Sequence, residues 1–175
     1  GFSEPADTDW DYTTGGTKYT GDLDTTSEFT GEYGFGYNFG NLTRAEVTYV
    51  SMTSDINSIT GGTAVATGDY VIDSFMATVY KDIDINSKFT PYLGAGIGIT
   101  SVSSDSMQIA GTGVGPGSGS AAGYQFKLGT SYQVSDSADL FAEAARSTTG
   151  EIEVSEVNYE AINTFGARAG VRFMF

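Results

Sequence analysis

The last fifteen residues of the chain, 161–175, alternate between two kinds of side chain without interruption. One set includes Phe165, Val171 and Phe173, and the other consists mainly of glycine, hydroxyl and arginine residues. Because successive side chains of an extended strand point to opposite faces, this segment predicts a strand with one apolar and one polar face. Such a strand needs a hydrogen-bonding partner along both edges, since an open edge promotes aggregation. The segment therefore favours a sheet that closes on itself.

The same period of two recurs in six earlier segments, which are residues 29–39, 42–54, 70–81, 89–100, 124–132 and 139–147. Gly40 and Asn41 mark a tight turn between the first two. The 24 glycines and the low charged fraction of 17% favour many strands joined by turns over a disordered chain. We therefore expect residues 1–175 to form a single all-β domain.

Residues 1–27 have the weakest pattern, and within them 12–20 favour one weak strand because Thr and Tyr suit a pleated surface. We expect this segment to contain the first strand or an extension. With it, the total is about eight strands, and bacterial single-chain membrane barrels have even strand numbers.

The lengths of the connections indicate which face points outward. Residues 40–41, 82–87 and 134–138 form short connections, whereas the long ones are 55–69, 102–120 and 148–160. That alternation is typical of membrane barrels with turns at one rim and loops at the other. The polar faces also combine charges of both signs with many glycines, which leave room for long side chains in a narrow lumen. We therefore expect the apolar face to contact lipid.

Charges that line a lumen must be paired, because an unpaired buried ion costs several kcal/mol, roughly. The predicted lumen charge network is Glu32, Arg44, Glu46, Lys127, Glu143, Arg168 and Arg172. The predicted lipid-facing residues are Phe35, Tyr37, Phe39, Val47, Tyr49, Phe75, Val79, Leu93, Ile97, Phe126, Leu128, Phe165, Val171 and Phe173.

Three runs carry a resemblance to a known family: YNFGNLTRAEVTY at 37–49, PYLGAGIG at 91–98 and GARAGVRFMF at 166–175. They resemble strands of the small outer-membrane barrel superfamily, the "porin family" that includes the OmpA transmembrane domain, OmpX and the opacity-type surface proteins. The resemblance implies a closed antiparallel up-and-down transmembrane β-barrel of about eight strands in the bacterial outer membrane. It also implies that Phe175 is the aromatic signal for the barrel-assembly machinery.

The chain begins with Gly1 rather than Met, as expected after removal of a signal peptide. With extracellular loops, the expected partners are outer-membrane lipid, lipopolysaccharide and the assembly machinery, and either a homo-oligomer or a surface ligand. Nucleic acid is not expected, because the net charge is -14 and only 8 residues are Lys or Arg.

The chain contains no Cys and no His, which excludes thiolate metal sites and histidine-dependent catalysis. Glu32, Glu46 and Glu143 are an acid–base alternative, but pairing with the basic residues is the favoured interpretation. Asp7, Asp9 and Asp11 have the spacing of a calcium loop, although Tyr12 and Lys18 replace its glycine and its glutamate. We therefore expect no enzyme activity and no cofactor.

The favoured function is surface display: a structural barrel with a charged, plugged lumen presents acidic, Gly-rich extracellular loops for adhesion or interaction. A barrel of eight strands is only wide enough for side chains to fill. The alternatives are a self-assembling subunit of an extracellular or surface array or filament, and a narrow outer-membrane channel.

Overall fold

The computed structural model contains strands and their connections, and it has no helix of the length and hydrophobicity that a membrane crossing needs within the residues it describes. The backbone is described for residues 2–5, 8–14, 17–23, 28–55, 59–60, 66–67, 69–104, 107–109, 112–114, 117–154, 157–159, 161 and 163–175. Side chains are described for residues 30–53, 71–103, 117–151, 161 and 163–175.

In chain order the strands are β1 Phe2–Pro5, β2 Thr8–Thr14, β3 Thr17–Leu23, β4 Glu28–Phe29, β5 Gly31–Gly40, β6 Thr43–Asp55, β7 Ile59–Thr60, β8 Ala66–Thr67, β9 Asp69–Asp82, β10 Phe89–Ser104, β11 Met107–Ile109, β12 Thr112–Val114, β13 Gly117–Ser135, β14 Ala138–Thr149, β15 Ile152–Val154, β16 Val157–Tyr159 and β17 Asn163–Phe173.

The main sheet has the order β4-β1-β17-β14-β13-β10-β9-β6-β5, and all neighbouring strands are antiparallel. Only Thr30 separates β4 from β5 along the chain, so both ends of the sheet lie in one segment. The short strand β1 lies between them, paired with β17 on one side and with β4 on the other. The prediction of an all-β, antiparallel up-and-down barrel is confirmed.

The N-terminal segment differs from the single weak strand predicted for residues 12–20. Those residues fall in two strands, β2 and β3, which pair with each other in a separate sheet of order β15-β16-β2-β3-β7. The strand that pairs with β17 is β1, in the register Phe2 to Ala167. In the sequence, the pair Gly15-Gly16 between two runs rich in Thr and Tyr is a hairpin signal that the prediction of a single strand overlooked.

Several described parts of the segment 102–120 form strands. β10 continues to Ser104 and β13 begins at Gly117, and these two residues are still paired in register. β11 and β12 form a further small sheet with β8. The prediction of an irregular connection over 102–120 is thus wrong at both ends, because the hydrogen-bonded ladder continues through residues of low intrinsic strand propensity.

The first tight turn lies one residue later than predicted. Gly40 pairs with Thr43, so the central residues are Asn41 and Leu42, with φ of 50° and 59°. Positive φ at both central positions matches the twist of a two-residue hairpin. Asn38 supports the turn through its Oδ1, which accepts a hydrogen bond from the Gly40 N–H at 2.9 Å.

Candidate functional site: the barrel lumen

The polar faces of the long strands point into the barrel. The buried polar and charged residues are Thr30, Arg44, Thr48, Thr78, Thr100, Gln125, Lys127, Ser131, Glu143 and Thr149. The large apolar side chains alternate with them and are exposed on the outer face. This is the inverse of a water-soluble barrel, in which the apolar face is packed inside.

Four charged side chains from four strands meet in the middle of the lumen, and we call them the mid-barrel cluster: Glu32, Lys127, Glu143 and Arg168. The Lys127 Nζ lies 2.9 Å from Glu32 Oε1 and 3.1 Å from Glu143 Oε1. Arg168 forms an ion pair with Glu32, and its Nη1 lies 3.8 Å from Glu143 Oε1. Because Glu32 lies on β5 and Arg168 on β17, this cluster joins the two ends of the sheet.

A second group lies near the short turns, and we call it the turn-end cluster: Arg44, Glu46, Asp82 and Arg172. Glu46 Oε1 lies 3.0 Å from the Arg44 Nε and 3.2 Å from the Arg172 Nε, so it forms an ion pair with each. Arg44 also forms an ion pair with Asp82. Its Nη2 is buried and has no hydrogen-bond partner among the described residues.

Two tyrosines fill the space between the clusters. The guanidinium carbon of Arg44 lies 4.2 Å from the ring centroid of Tyr80 and 4.4 Å from that of Tyr92, within the range of cation–π contact. The Tyr92 hydroxyl donates to Glu143 Oε2 at 3.1 Å. Tyr92 therefore contacts both clusters, with its ring against one and its hydroxyl on the other.

Glycines on the neighbouring strands provide the space for these rings. A Cβ placed on Gly94 would lie 2.7 Å from ring carbons of Tyr80, and one placed on Gly129 would lie 2.6 Å from the ring of Tyr92. Such distances are well below van der Waals contact. The small residues of the polar faces are thus needed to hold large side chains inside.

All seven residues of the predicted lumen network lie in these two clusters. The sequence interpretation missed Asp82, which it placed in a turn, and the two tyrosines. A signal for Tyr80 and Tyr92 was present, because each falls on the same face of its strand as the polar and small residues, such as Thr78 and Gly94, and not on the apolar face. Gln125, whose Nε2 donates to the Thr78 hydroxyl at 2.6 Å, was also missed.

On the outer face, every residue predicted to contact lipid is exposed except Tyr49. Tyr49 is half-buried because its ring packs on Phe75 at 4.8 Å and its hydroxyl donates to Asp73 at 2.7 Å. Phe175, the predicted assembly signal, is fully exposed beyond the end of β17.

An antiparallel barrel with an apolar exterior is typical of the bacterial outer membrane. The model of the outer membrane protein beta-barrel domain matches residues 4–173 of the 175. The chain belongs to this family. The small outer-membrane barrel superfamily inferred from the sequence is therefore confirmed, and the protein is an outer-membrane β-barrel.

Solved structures similar to this outer-membrane barrel include neisserial surface protein A, with 21% identity, a TM-score of 0.56, and coverage of 99% of this chain and 97% of that one. The attachment invasion locus protein of Yersinia pestis is 15% identical, with a TM-score of 0.45 and coverage of 99% and 96%. No curated protein matches the sequence. At these identities, the likeness to neisserial surface protein A supports the fold.

Two sequence hypotheses about chemistry concern acidic residues. Glu32, Glu46 and Glu143 are each ion-paired, as the non-catalytic interpretation requires. The side chains of Asp7, Asp9 and Asp11 lie outside the described residues. Among the side chains that are described, no three His, Cys, Asp or Glu residues are grouped as metal ligands.

Proposed function

We propose that this outer-membrane barrel displays acidic loops at the cell surface and that its lumen serves as a rigid plug. The main observation that supports this proposal is the charge balance of the lumen. The two clusters contain four basic and four acidic side chains, so they cancel. Of 8 Lys and Arg and 22 Asp and Glu in the chain, 4 and 18 remain, and 4 minus 18 is the entire net charge of -14.

That external charge is concentrated at one rim. The four connections 6–27, 56–68, 105–116 and 150–162 contain ten acidic residues and one lysine, a net charge of 1 minus 10, or -9. At the other rim, 41–42, 83–88 and 136–137 contain two acidic residues and one lysine, or -1. A strongly negative surface attracts and orients cationic partners over several ångströms. We infer that the loops bind a basic surface or polypeptide.

The orientation of the loops is testable because the chain has no cysteine. Gly113→Cys lies on the short strand β12, within the connection 105–116 between β10 and β13, and the matched control Ser137→Cys lies in a short turn. With a membrane-impermeant thiol reagent on intact cells, we expect Gly113→Cys to react and Ser137→Cys to react only after the outer membrane is permeabilised. The reverse pattern would contradict surface display.

Adhesion is tested by binding of intact cells to a polylysine-coated surface. We expect the triple variant Glu151→Gln, Glu153→Gln and Glu156→Gln to bind several-fold less than the parent, because the attraction is electrostatic. The control Asp84→Asn with Asp136→Asn changes charge at the other rim and should bind like the parent. Equal binding by all three would contradict the loop proposal. Stepwise ion conductance of the purified barrel in planar bilayers would instead favour the channel.

A further inference from the structure

Arg146 is a basic residue of the strands that faces away from the lumen. On β14, Glu143 and Ala145 are buried inside, while Leu140, Ala142 and Arg146 are exposed outside. In the sheet register, Arg146 lies between Phe126 and Phe165, which are both exposed aromatic residues of the outer face. A cation is therefore embedded in the apolar exterior of a membrane barrel.

None of the acidic side chains that the structure describes pairs with this cation. Among the described side chains, Arg146 makes neither an ion pair nor a hydrogen bond, whereas Arg44, Lys127, Arg168 and Arg172 are all paired in the lumen. Lys81 is the other outward-facing base among the described side chains of the strands, and its Nζ donates to the Asn41 carbonyl at 2.6 Å. An unpaired arginine on the lipid face is strongly destabilising at the bilayer midplane and nearly neutral close to an interface. The height of Arg146 along the barrel therefore decides how unfavourable its unpaired charge is.

Arg146 lies close to the loop-side boundary of the apolar band. It is eight residues from Ala138, the turn-side start of β14. At ~3.3 Å per residue and a tilt of ~40°, it lies about 20 Å above that end, in an apolar band about 25 Å tall. The next outward pair above it is polar, because the Thr148 hydroxyl donates to Asn163 Oδ1 at 2.9 Å. This is the depth of lipid headgroups.

An open groove of about 680 Å³ runs down the outer face from Arg146 towards the turn side. The side chains of Leu93, Ala95, Phe126, Leu128 and Ala144 line it, and Lys81 lies at its far end. A cation at the headgroup level above an apolar groove matches an amphiphile with an anionic head and a hydrocarbon chain.

We propose that Arg146 and this groove bind a phosphorylated lipid of the loop-side leaflet, namely lipopolysaccharide. A phosphate accepts two parallel hydrogen bonds from a guanidinium, and an acyl chain buries its surface in the groove. The leaflet follows from the loop orientation in the proposed function, and the proposal deepens that function by naming a lipid partner for the outer face.

The test is a titration of fluorescent lipopolysaccharide into the folded barrel in detergent micelles. We expect Arg146→Gln to raise Kd about tenfold, in line with the loss of charge-assisted hydrogen bonds, and Arg146→Lys to raise it less. The matched control Lys88→Gln removes an exposed base at the opposite rim and should leave Kd within about twofold. Retained gel mobility without heating shows that each variant is folded. Dephosphorylated lipopolysaccharide should bind the parent as weakly as the intact lipid binds Arg146→Gln.

Three results would overturn the proposal: equal Kd for Arg146→Gln and the parent, equally tight binding of phosphatidylglycerol, or displacement by millimolar inorganic phosphate alone. The first result would show that Arg146 does not contribute to binding, and the second that the site does not select lipopolysaccharide. The third would show that the groove does not contribute. Because micelles have no leaflets, this titration is independent of orientation. Failure of the cysteine labelling would overturn surface display and leave the Kd comparison standing.

Discussion

The mid-barrel cluster and the turn-end cluster contain the same charges, two basic and two acidic, but they differ in where those charges come from. Glu32, Lys127, Glu143 and Arg168 lie on four different strands, so their pairing holds distant parts of the sheet together. In the turn-end cluster, Arg44 and Glu46 share β6, Asp82 lies on the adjacent β9, and only Arg172 comes from β17. Both clusters therefore connect β17 to the far end of the sheet, but the first does so with residues of four strands and the second with residues of three.

The surroundings of the clusters differ as well. At the centre of the mid-barrel cluster, the side chains of Lys127 and Glu143 are only 1% and 3% exposed. The least exposed side chain of the turn-end cluster is that of Arg44, at 7%, and the other members of both clusters are 14–20% exposed. Burial makes an unpaired charge more costly, and partial access to water reduces that cost. Two clusters with the same number of charges can therefore contribute differently to the free energy of unfolding. Substitutions in each cluster should separate the two.

The largest effect is expected for Lys127→Met. It leaves Glu32 and Glu143 to share Arg168, and breaking a buried pair costs about 3–5 kcal/mol. We expect the free energy of unfolding to fall by about 3 kcal/mol in urea denaturation of the micelle-folded barrel. The control Lys88→Met removes an exposed lysine and should change stability by less than about 0.5 kcal/mol. A similar small change for both would contradict the central importance of this cluster.

A smaller loss, about 2 kcal/mol, is expected for Arg44→Met. It removes the ion pairs to Glu46 and Asp82 and the contacts with both tyrosine rings, but Glu46 keeps Arg172 and Asp82 is partly hydrated. Arg44→Lys retains the charge and loses the planar contact, so it should lie between Arg44→Met and the parent in the same denaturation experiment. If Arg44→Met is more destabilising than Lys127→Met, the ranking of the clusters is reversed.

Tyr92→Phe should cost about 1 kcal/mol, because it removes the hydrogen bond to Glu143 and keeps the ring against Arg44. Tyr132→Phe, at an exposed position of the outer face, is the control and should have no measurable effect. The urea concentration at the denaturation midpoint measures the stability of both variants. A neutral Tyr92→Phe would mean that the hydroxyl does not connect the two clusters.

The smallest expected quantity is the coupling between the clusters. In a double-mutant cycle of Lys127→Met with Arg44→Met, we expect a coupling energy of about 0.5–1 kcal/mol, since Tyr92 contacts Arg44 of one cluster and Glu143 of the other. Repeating the cycle in the Tyr92→Phe background should reduce the coupling below about 0.5 kcal/mol. Unchanged coupling in that background would show that the clusters communicate by another route.

Much of this arrangement could be predicted from the period of two. It predicted the seven long strands and placed on their polar faces seven of the eight charged residues of the two clusters, because a membrane barrel must place polar and apolar residues on opposite faces of every strand. It could not identify Asp82 or the function of Gly94 and Gly129, since those depend on which residues of different strands lie at the same height. The first strand, β1, is four residues long, and four residues are too few to show a period.

The ion pair between Glu32 and Arg168 joins residues 136 positions apart in the chain. Loop closure over such a distance is slow, and contacts of high sequence separation generally form late in folding. Until β17 arrives, Glu32 and Glu143 share Lys127 as their single close cation. The C-terminal strand therefore delivers the counter-charge as well as the hydrogen bonds, so folding of the lumen should be all-or-none and its committing step should be the docking of that strand.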